Sequence, residues 1–155
     1  MRFRLDIQSI VDEIKNLCFS CGASIGDSPH SELITNLGYL LRTHNYRVQH
    51  EYPLSYMHRT FKTGRVQRHW GYIDLLADGG DHKIAIEYDG RRSLKYKSIE
   101  KLLQSNADTL IGIVGNGVLN PNIERVLEVM EGSGIMDRKV LLIAVSEKDS
   151  EEISW

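Results

Sequence analysis

The stretch GYIDLLADGGDHKIAIEYDG, Gly71 to Gly90, decides the fold. Two short apolar runs, Gly71–Ala77 and Lys83–Tyr88, flank Asp78-Gly79-Gly80-Asp81, a composition suited to a tight reversal of the chain. The reading is an antiparallel hairpin. Successive side chains of a strand point to opposite faces, so Ile84, Ile86 and Tyr88 share one face while Ala85, Glu87 and Asp89 share the other. By the same count Tyr72, Asp74 and Leu76 lie opposite Ile73, Leu75 and Ala77. A turn centred on Gly79-Gly80 pairs Asp74 with Ala85 and Tyr72 with Glu87. Asp74 and Glu87 then become diagonal neighbours on one surface, about 7–8 Å apart at the backbone. Asp89 follows on that face where the strand ends.

Upstream, Ile7, Ile10, Val11, Ile14, Leu17 and Cys18 recur at helical spacing and predict a helix over 6–19. Gly22–Asp27 breaks it. Ser28-Pro29 reads as an N-cap and first helical residue, opening a helix to about Thr43 with Leu33, Leu37, Leu40 and Leu41 inward. From Tyr46 the period becomes two, and Tyr46, Val48, His50 and Tyr52 mark one side of a half-buried strand. Residues 57–69, MHRTFKTGRVQRH, read as a basic loop around a Thr-Gly turn. Downstream come a helix over about 93–106, a buried strand at Leu110–Val114 and a helix opened by Asn120-Pro121 and ended by Gly132 and Gly134. A strand at Lys139–Val145 and an acidic tail, 147–155, complete the chain. The expected architecture is one α/β domain over 1–155, a mixed central sheet of about five strands flanked by helices.

Composition agrees with this class. A chain of 155 residues with 41% hydrophobic and 26% charged residues can build one core, which excludes disordered, collagen-like and coiled-coil chains. No apolar run approaches the roughly 20 residues that span a bilayer, and acids interrupt MRFRLDIQSIVDE before a signal-peptide core could form. The expectation is a cytoplasmic protein without a membrane partner. Cys18 and Cys21 form a lone CxxC that even with His30 falls short of four zinc ligands, so they read as small apolar residues. The net charge of -2 hides a segregation. Residues 41–101 hold 12 Lys/Arg against 7 Asp/Glu, a net of +5, and the remainder holds 7 against 14, a net of -7.

Three carboxylates on one sheet face repel one another and lose hydration unless something compensates them. A hard divalent cation does so, since magnesium takes oxygen ligands from one or two carboxylates, water and phosphate. The alternative is a solvated face bearing ordinary surface acids. The segment GYIDLLADGGDHKIAIEYDG resembles the core of the PD-(D/E)XK, or restriction-endonuclease-like, nuclease superfamily. That core carries an Asp in one strand, a hairpin, and an E-x-K type triplet in the next; Asp74 and Glu87 match the two acids. The order helix, three strands, helix, strand over about 29–115 agrees as well, and Glu32, in the helix from Pro29, matches a further acid of the family.

Two departures stand out. Ile73 replaces the Pro of the family name, and Asp89 occupies the position of the Lys, giving Glu87-Tyr88-Asp89. The E-x-D-G run is similar to nucleases of the very-short-patch-repair type, where the third acid is a ligand or positions water. Two other readings remain open: the cation has moved to Lys97 or Lys101, four apart on the next helix, or activity is lost.

The resemblance implies a Mg2+-dependent deoxyribonuclease, with Mn2+ as a substitute ion and RNA left open as a substrate. The implied ligands are Asp74, Glu87, Asp89 and Glu32, and the implied catalytic set is Asp74, Glu87 and Asp89 with Lys97 or Lys101. Arg59, Lys62, Arg65 and Arg68 on one side, and Arg91, Arg92, Lys95 and Gln104 on the other, are the expected phosphate contacts. Phe61 and Trp70 could stack on a base, although a Trp beside a strand is more often core. A homodimer is expected if both strands are cut. The competing reading is an inactive module of the same fold that binds DNA or a protein partner.

Overall fold

Two apolar layers, one on each face of a six-stranded sheet, organise the molecule. The computed structural model describes residues 6–20, 29–60 and 62–155; Cys21, Ser28 and Phe61 lie outside them. In chain order the elements are α1 (Ile7–Ser20), α2 (Pro29–Thr43), β1 (Arg47–Arg59), β2 (Val66–Asp78), β3 (Lys83–Asp89), α3 (Tyr96–Gln104), β4 (Thr109–Val114), α4 (Leu119–Ser133), β5 (Val140–Ala144) and β6 (Asp149–Ile153). The strands lie side by side in sequence order. β1, β2 and β3 are antiparallel, β3, β4 and β5 are parallel, and β6 returns antiparallel to β5. α1 and α2 cover one face with Ile10, Ile14, Leu37 and Leu41. α3 and α4 cover the other with Ile99, Leu102, Val126 and Met130. Cys18 is buried in the first layer, in keeping with its apolar reading.

The hairpin at Gly79-Gly80 forms, but its register differs from the expected one by two residues. Leu76 rather than Asp74 pairs with Ala85, and Asp78 pairs with Lys83. The connection therefore uses four residues, Gly79 to His82. Gly79 N–H donates to the His82 carbonyl at 2.9 Å, and Asp78 Oδ1 accepts from Gly80 N–H at 2.8 Å. Gly80 takes φ 91°, which glycine adopts without a Cβ clash. A two-residue slip leaves every β3 side chain on its expected face, because the strand period is two.

β1 and β2 run far longer than their sequence pattern suggests. The basic segment 57–69 is not a loop but the end of a two-stranded ribbon, paired up to Arg59↔Val66 and closed by the Thr60 N–H to Arg65 carbonyl bond at 2.8 Å. Along this ribbon the alternation changes sense. Val48, Leu75 and Ala77 pack toward α1 and α2, whereas Tyr52, Leu54 and Ile73 pack toward α3 and α4. The switch falls at Glu51, with φ 50°, and at Asp74, which faces it across the ladder. Both strands switch at the same level, so the register is the same on either side. Asp74 and Leu76 therefore belong to opposite sides of a break, not to one uninterrupted face.

The acidic tail contains a sixth strand. In β6, Asp149, Glu151 and Glu152 stand exposed on a sheet edge, where charge discourages pairing with another chain, and Ile153 is buried under α4. Ile153→Ala should cost about 2 kcal/mol or more in urea unfolding, as removal of buried isoleucine atoms does. Glu151→Ala should change stability by less than about 0.5 kcal/mol. Equal stability of both variants would mean that the tail is not part of the core.

Candidate active site

The site forms where β2 and β3 part. Their ladder runs from Asp78↔Lys83 to Leu75↔Ile86 and stops. Backbone groups leaving a ladder need new partners, and here side chains provide them. Asp74 Oδ2 accepts from Tyr88 N–H at 2.8 Å, and Lys101 Nζ donates to the Tyr72 carbonyl at 2.7 Å. The parting leaves a cleft of about 380 Å³ lined by Tyr56, Asp74, Glu87, Asp89, Lys97 and Lys101, with Lys95 and Ser98 at its α3 side.

Glu87 lies at the bottom of this cleft, 2% exposed. Its Oε1 is 2.8 Å from Lys101 Nζ and otherwise takes no hydrogen bond. Burial first, then the charge and hydrogen bond of Asp74, push the Glu87 carboxyl up to about 9, against the opposing pull of Lys101. Two carboxyl groups set against each other in this way form the kind of oxygen donor set that a hard divalent cation uses, with water or phosphate filling the remaining positions. Asp89 stands at the end of β3, where its Oδ1 accepts from Arg91 N–H at 3.2 Å. Among the described residues no three His, Cys, Asp or Glu side chains group closely enough to hold a metal by themselves.

Lys101 reaches the site because α3 is fastened to the ribbon. Glu100 Oε1 lies 2.6 Å from His58 Nδ1, and Glu100 Oε2 accepts from Arg59 N–H at 2.9 Å. One turn later Gln104 brackets Met57, accepting from its N–H at 2.6 Å and donating to its carbonyl at 2.8 Å. The Arg138 guanidinium caps the far end of α3 on the carbonyls of Leu103, Ser105 and Ala107. The segment before α3 is held by Asn122, fully buried, which accepts from Leu94 N–H at 2.9 Å and donates to the Arg92 and Val118 carbonyls. Lys95 and Lys97 then sit at the positive end of the helix dipole with no acid in the first turn, an electrostatic arrangement that an anion relieves.

No protein-family model matches the chain, and no curated protein matches its sequence. The geometry must carry the reading. It brings together Asp74, Glu87, Asp89, Lys95, Lys97 and Lys101. It does not bring in Glu32, which is exposed on α2, the helix on the other face of the sheet. Gln104 holds the Met57 backbone through both ends of its amide and does not line the cleft. Arg59 lines a separate groove between the ribbon, α3 and α4. Lys62, Arg65 and Arg68 are exposed at the far end of the ribbon, and Arg91 and Arg92 are exposed between β3 and α3. Tyr56 and Ser98 enter the cleft without having been singled out from sequence. Tyr56 keeps the inward parity of Tyr52 and Leu54, the one signal that could have found it. Its hydroxyl is pushed above its ordinary value by burial, then by Glu100 and Glu87.

The raised carboxyl has a consequence for stability. An acid whose folded value exceeds its unfolded value of 4.5 binds more protons when folded, so its stabilisation is complete at low pH and lost as pH rises toward about 9. In EDTA, urea midpoints should therefore fall with pH across that window, and Glu87→Gln should flatten the slope. Parallel slopes for the two proteins would contradict the assignment.

Proposed function

We propose that this chain is a divalent-metal-dependent nuclease of the PD-(D/E)XK superfamily that hydrolyses phosphodiester bonds in DNA, working in the cytoplasm. The observation that carries the proposal is the Lys101 ammonium 2.8 Å from Glu87, beside Asp74, in a cleft that opens where two strands part. Asp89 stands in the lysine position of the triplet, and Lys101 on α3 supplies the missing cation. The order of α2, β1, β2, β3, α3 and β4 supports the same reading, being the order of the family core.

Asp74 and Glu87 are the residues that would hold Mg2+ or Mn2+, and Asp89 extends the set at the rim. A bound ion supplies Lewis-acid polarisation of a phosphate oxygen and lowers the pKa of water. The remaining roles belong to the chain. Lys95 and Lys97, at the α3 N-terminus, orient the phosphate. Lys101 places positive charge where negative charge grows in the transition state, an effect of preorganised electrostatics. Asp89, whose Oδ1 accepts from the Arg91 N–H, would orient the attacking water. The exposed Arg68, Arg65 and Lys62 add sequence-independent affinity that falls with salt.

The inactive-module reading draws on one observation, the acid at the lysine position, and differs in outcome. With Mg2+ or Mn2+ the protein should cut supercoiled, linear, single-stranded or branched DNA, and EDTA should abolish cutting. Lys101→Met, which keeps the aliphatic stem, should lower the rate by about 10²–10³-fold, the usual loss of a charge-stabilising donor. Asp74→Ala and Glu87→Ala should be inactive while retaining wild-type circular dichroism. DNA bound but uncut under every metal would favour the module. Undiminished cutting by Asp74→Ala would remove this cleft as the site.

A further inference from the structure

The ribbon presents a second surface that the cleft does not use. Gly71 faces α3, since a Cβ there would lie 3.1 Å from the Tyr56 ring and 3.3 Å from Lys101 Cδ. Its neighbours Trp70 and Tyr72 therefore point away from α3, and they are 77% and 59% exposed. Opposite them on β1 stand Ser55 and Pro53, and Met57 stands opposite Arg68. Arg68 Nη1 donates to Ser55 Oγ at 2.9 Å, and Ser55 is the residue paired with Trp70 across the ladder. No acid occurs between Glu51 and Asp74, a segment that carries Arg59, Lys62, Arg65 and Arg68.

We propose that this outer face binds unpaired bases of a nucleic-acid strand, with Trp70 and Tyr72 as stacking platforms and Lys62, Arg65 and Arg68 on the flanking phosphates. The charge is complementary to a polyanion and to little else. The rings distinguish nucleic acid from other polyanions, because aromatic stacking needs a flat partner with an exposed π-face. Residues two apart on a strand are roughly 7 Å apart, enough to admit one base between the rings or to offer each ring its own base. Bases inside a duplex are already stacked and cannot reach the rings, so the substrate class is single-stranded or locally unpaired nucleic acid. The inference deepens the nuclease reading and rests on it only for the link to the cleft. Tyr72 supplies that link: its ring lies on the outer face while its carbonyl holds Lys101. Past Leu75↔Ile86 the edge of β2 is no longer paired with β3, and a strand crossing that edge passes from the rings to the cleft.

The chain has two tryptophans, so Trp155→Phe leaves Trp70 as the sole reporter. Titrated in EDTA, which prevents hydrolysis, this protein should show quenched Trp70 emission with a short oligothymidylate. Inorganic polyphosphate should leave the emission unchanged, and a duplex of equal length should bind at least tenfold more weakly. Trp70→Ala and Tyr72→Ala, each exposed and expected to fold, should weaken oligothymidylate binding about tenfold apiece by anisotropy, as loss of a stacking ring does. Equal affinity in the Trp70→Ala protein, equal quenching by polyphosphate, or a change of oligomeric state on Trp70→Ala would overturn the proposal; the last would assign this face to a second copy of the chain. Binding with quenching but no cleavage under any metal would sink the nuclease reading alone. Cleavage with unchanged affinity in both ring variants would sink the stacking surface alone.

Discussion

The β1–β2 hairpin has to serve helices on opposite faces of the sheet, and the rest of the structure follows from how it does so. Near its Arg47–Asp78 end it packs under α2, and beyond Glu51 and Asp74 it packs under α3. A regular ribbon cannot change its inward face, so both strands break alternation at one level, with Glu51 accepting a left-handed φ of 50°. Such a conformation costs a non-glycine residue of order 1 kcal/mol or more. The burial of Tyr52, Leu54 and Ile73 against α3 offsets it. The break also ends the β2–β3 ladder, and the site occupies the space so opened. Asp74 sits at the break, Glu87 lies just past the last residue of β3 that pairs with β2, and α3 closes over both.

That position explains why the charged groups tolerate burial. A buried carboxyl without partners is strongly disfavoured. Here the Lys101 ammonium lies 2.8 Å from Glu87, and Asp74 and Lys101 each complete a backbone hydrogen bond that the parted strands abandoned. Asp74 and Lys101 therefore each have a structural duty independent of any ligand. Lys101 can come from a helix rather than from β3 because Glu100 and Gln104 fasten that helix to β1 with short bonds. A lysine on β3 would be positioned by the strand itself. One on α3 depends on the helix clamp, so residues that never touch the cleft set its geometry.

These particulars show what the sequence could and could not disclose. The faces of Glu87 and Asp89 were legible because alternation is a local property. The pairing of Asp74 was not, because the loop recruits Asp81 and His82 as well as the two glycines, and both loop lengths suit the same composition. The length of β1 and β2 was hidden by Gly71, His69 and Gln67, which obscure the period of two. The face switch was hidden because Glu51 is not a residue type that announces positive φ. Trp70 was read toward the core, yet it is exposed, since the switch turns the even-numbered residues of the outer part of β2 away from α3. Lys101 was visible as a candidate, but choosing it over Lys97 required the rotation of α3, set by Ile99, Leu102 and Leu103 packing inward. Gln104 was misread because its partner is backbone 47 residues away.

The electrostatics of the cleft and of the ribbon are coupled by this architecture. Along β2 no acid stands between Arg68 and Asp74, and beside Asp74 the Lys101 ammonium lies against Glu87. A divalent cation held by Asp74 and Glu87 would make the cleft more positive still, at the point where a phosphate would sit. Cation and phosphate would then each favour the other's binding, as linkage between two ligands of one site demands. The near-neutral total charge is compatible with this because the net negative charge falls outside residues 41–101. A polyanion senses charge within about a Debye length of roughly 8–10 Å, so it reads the ribbon and the α3 N-terminus, not the sum over the chain.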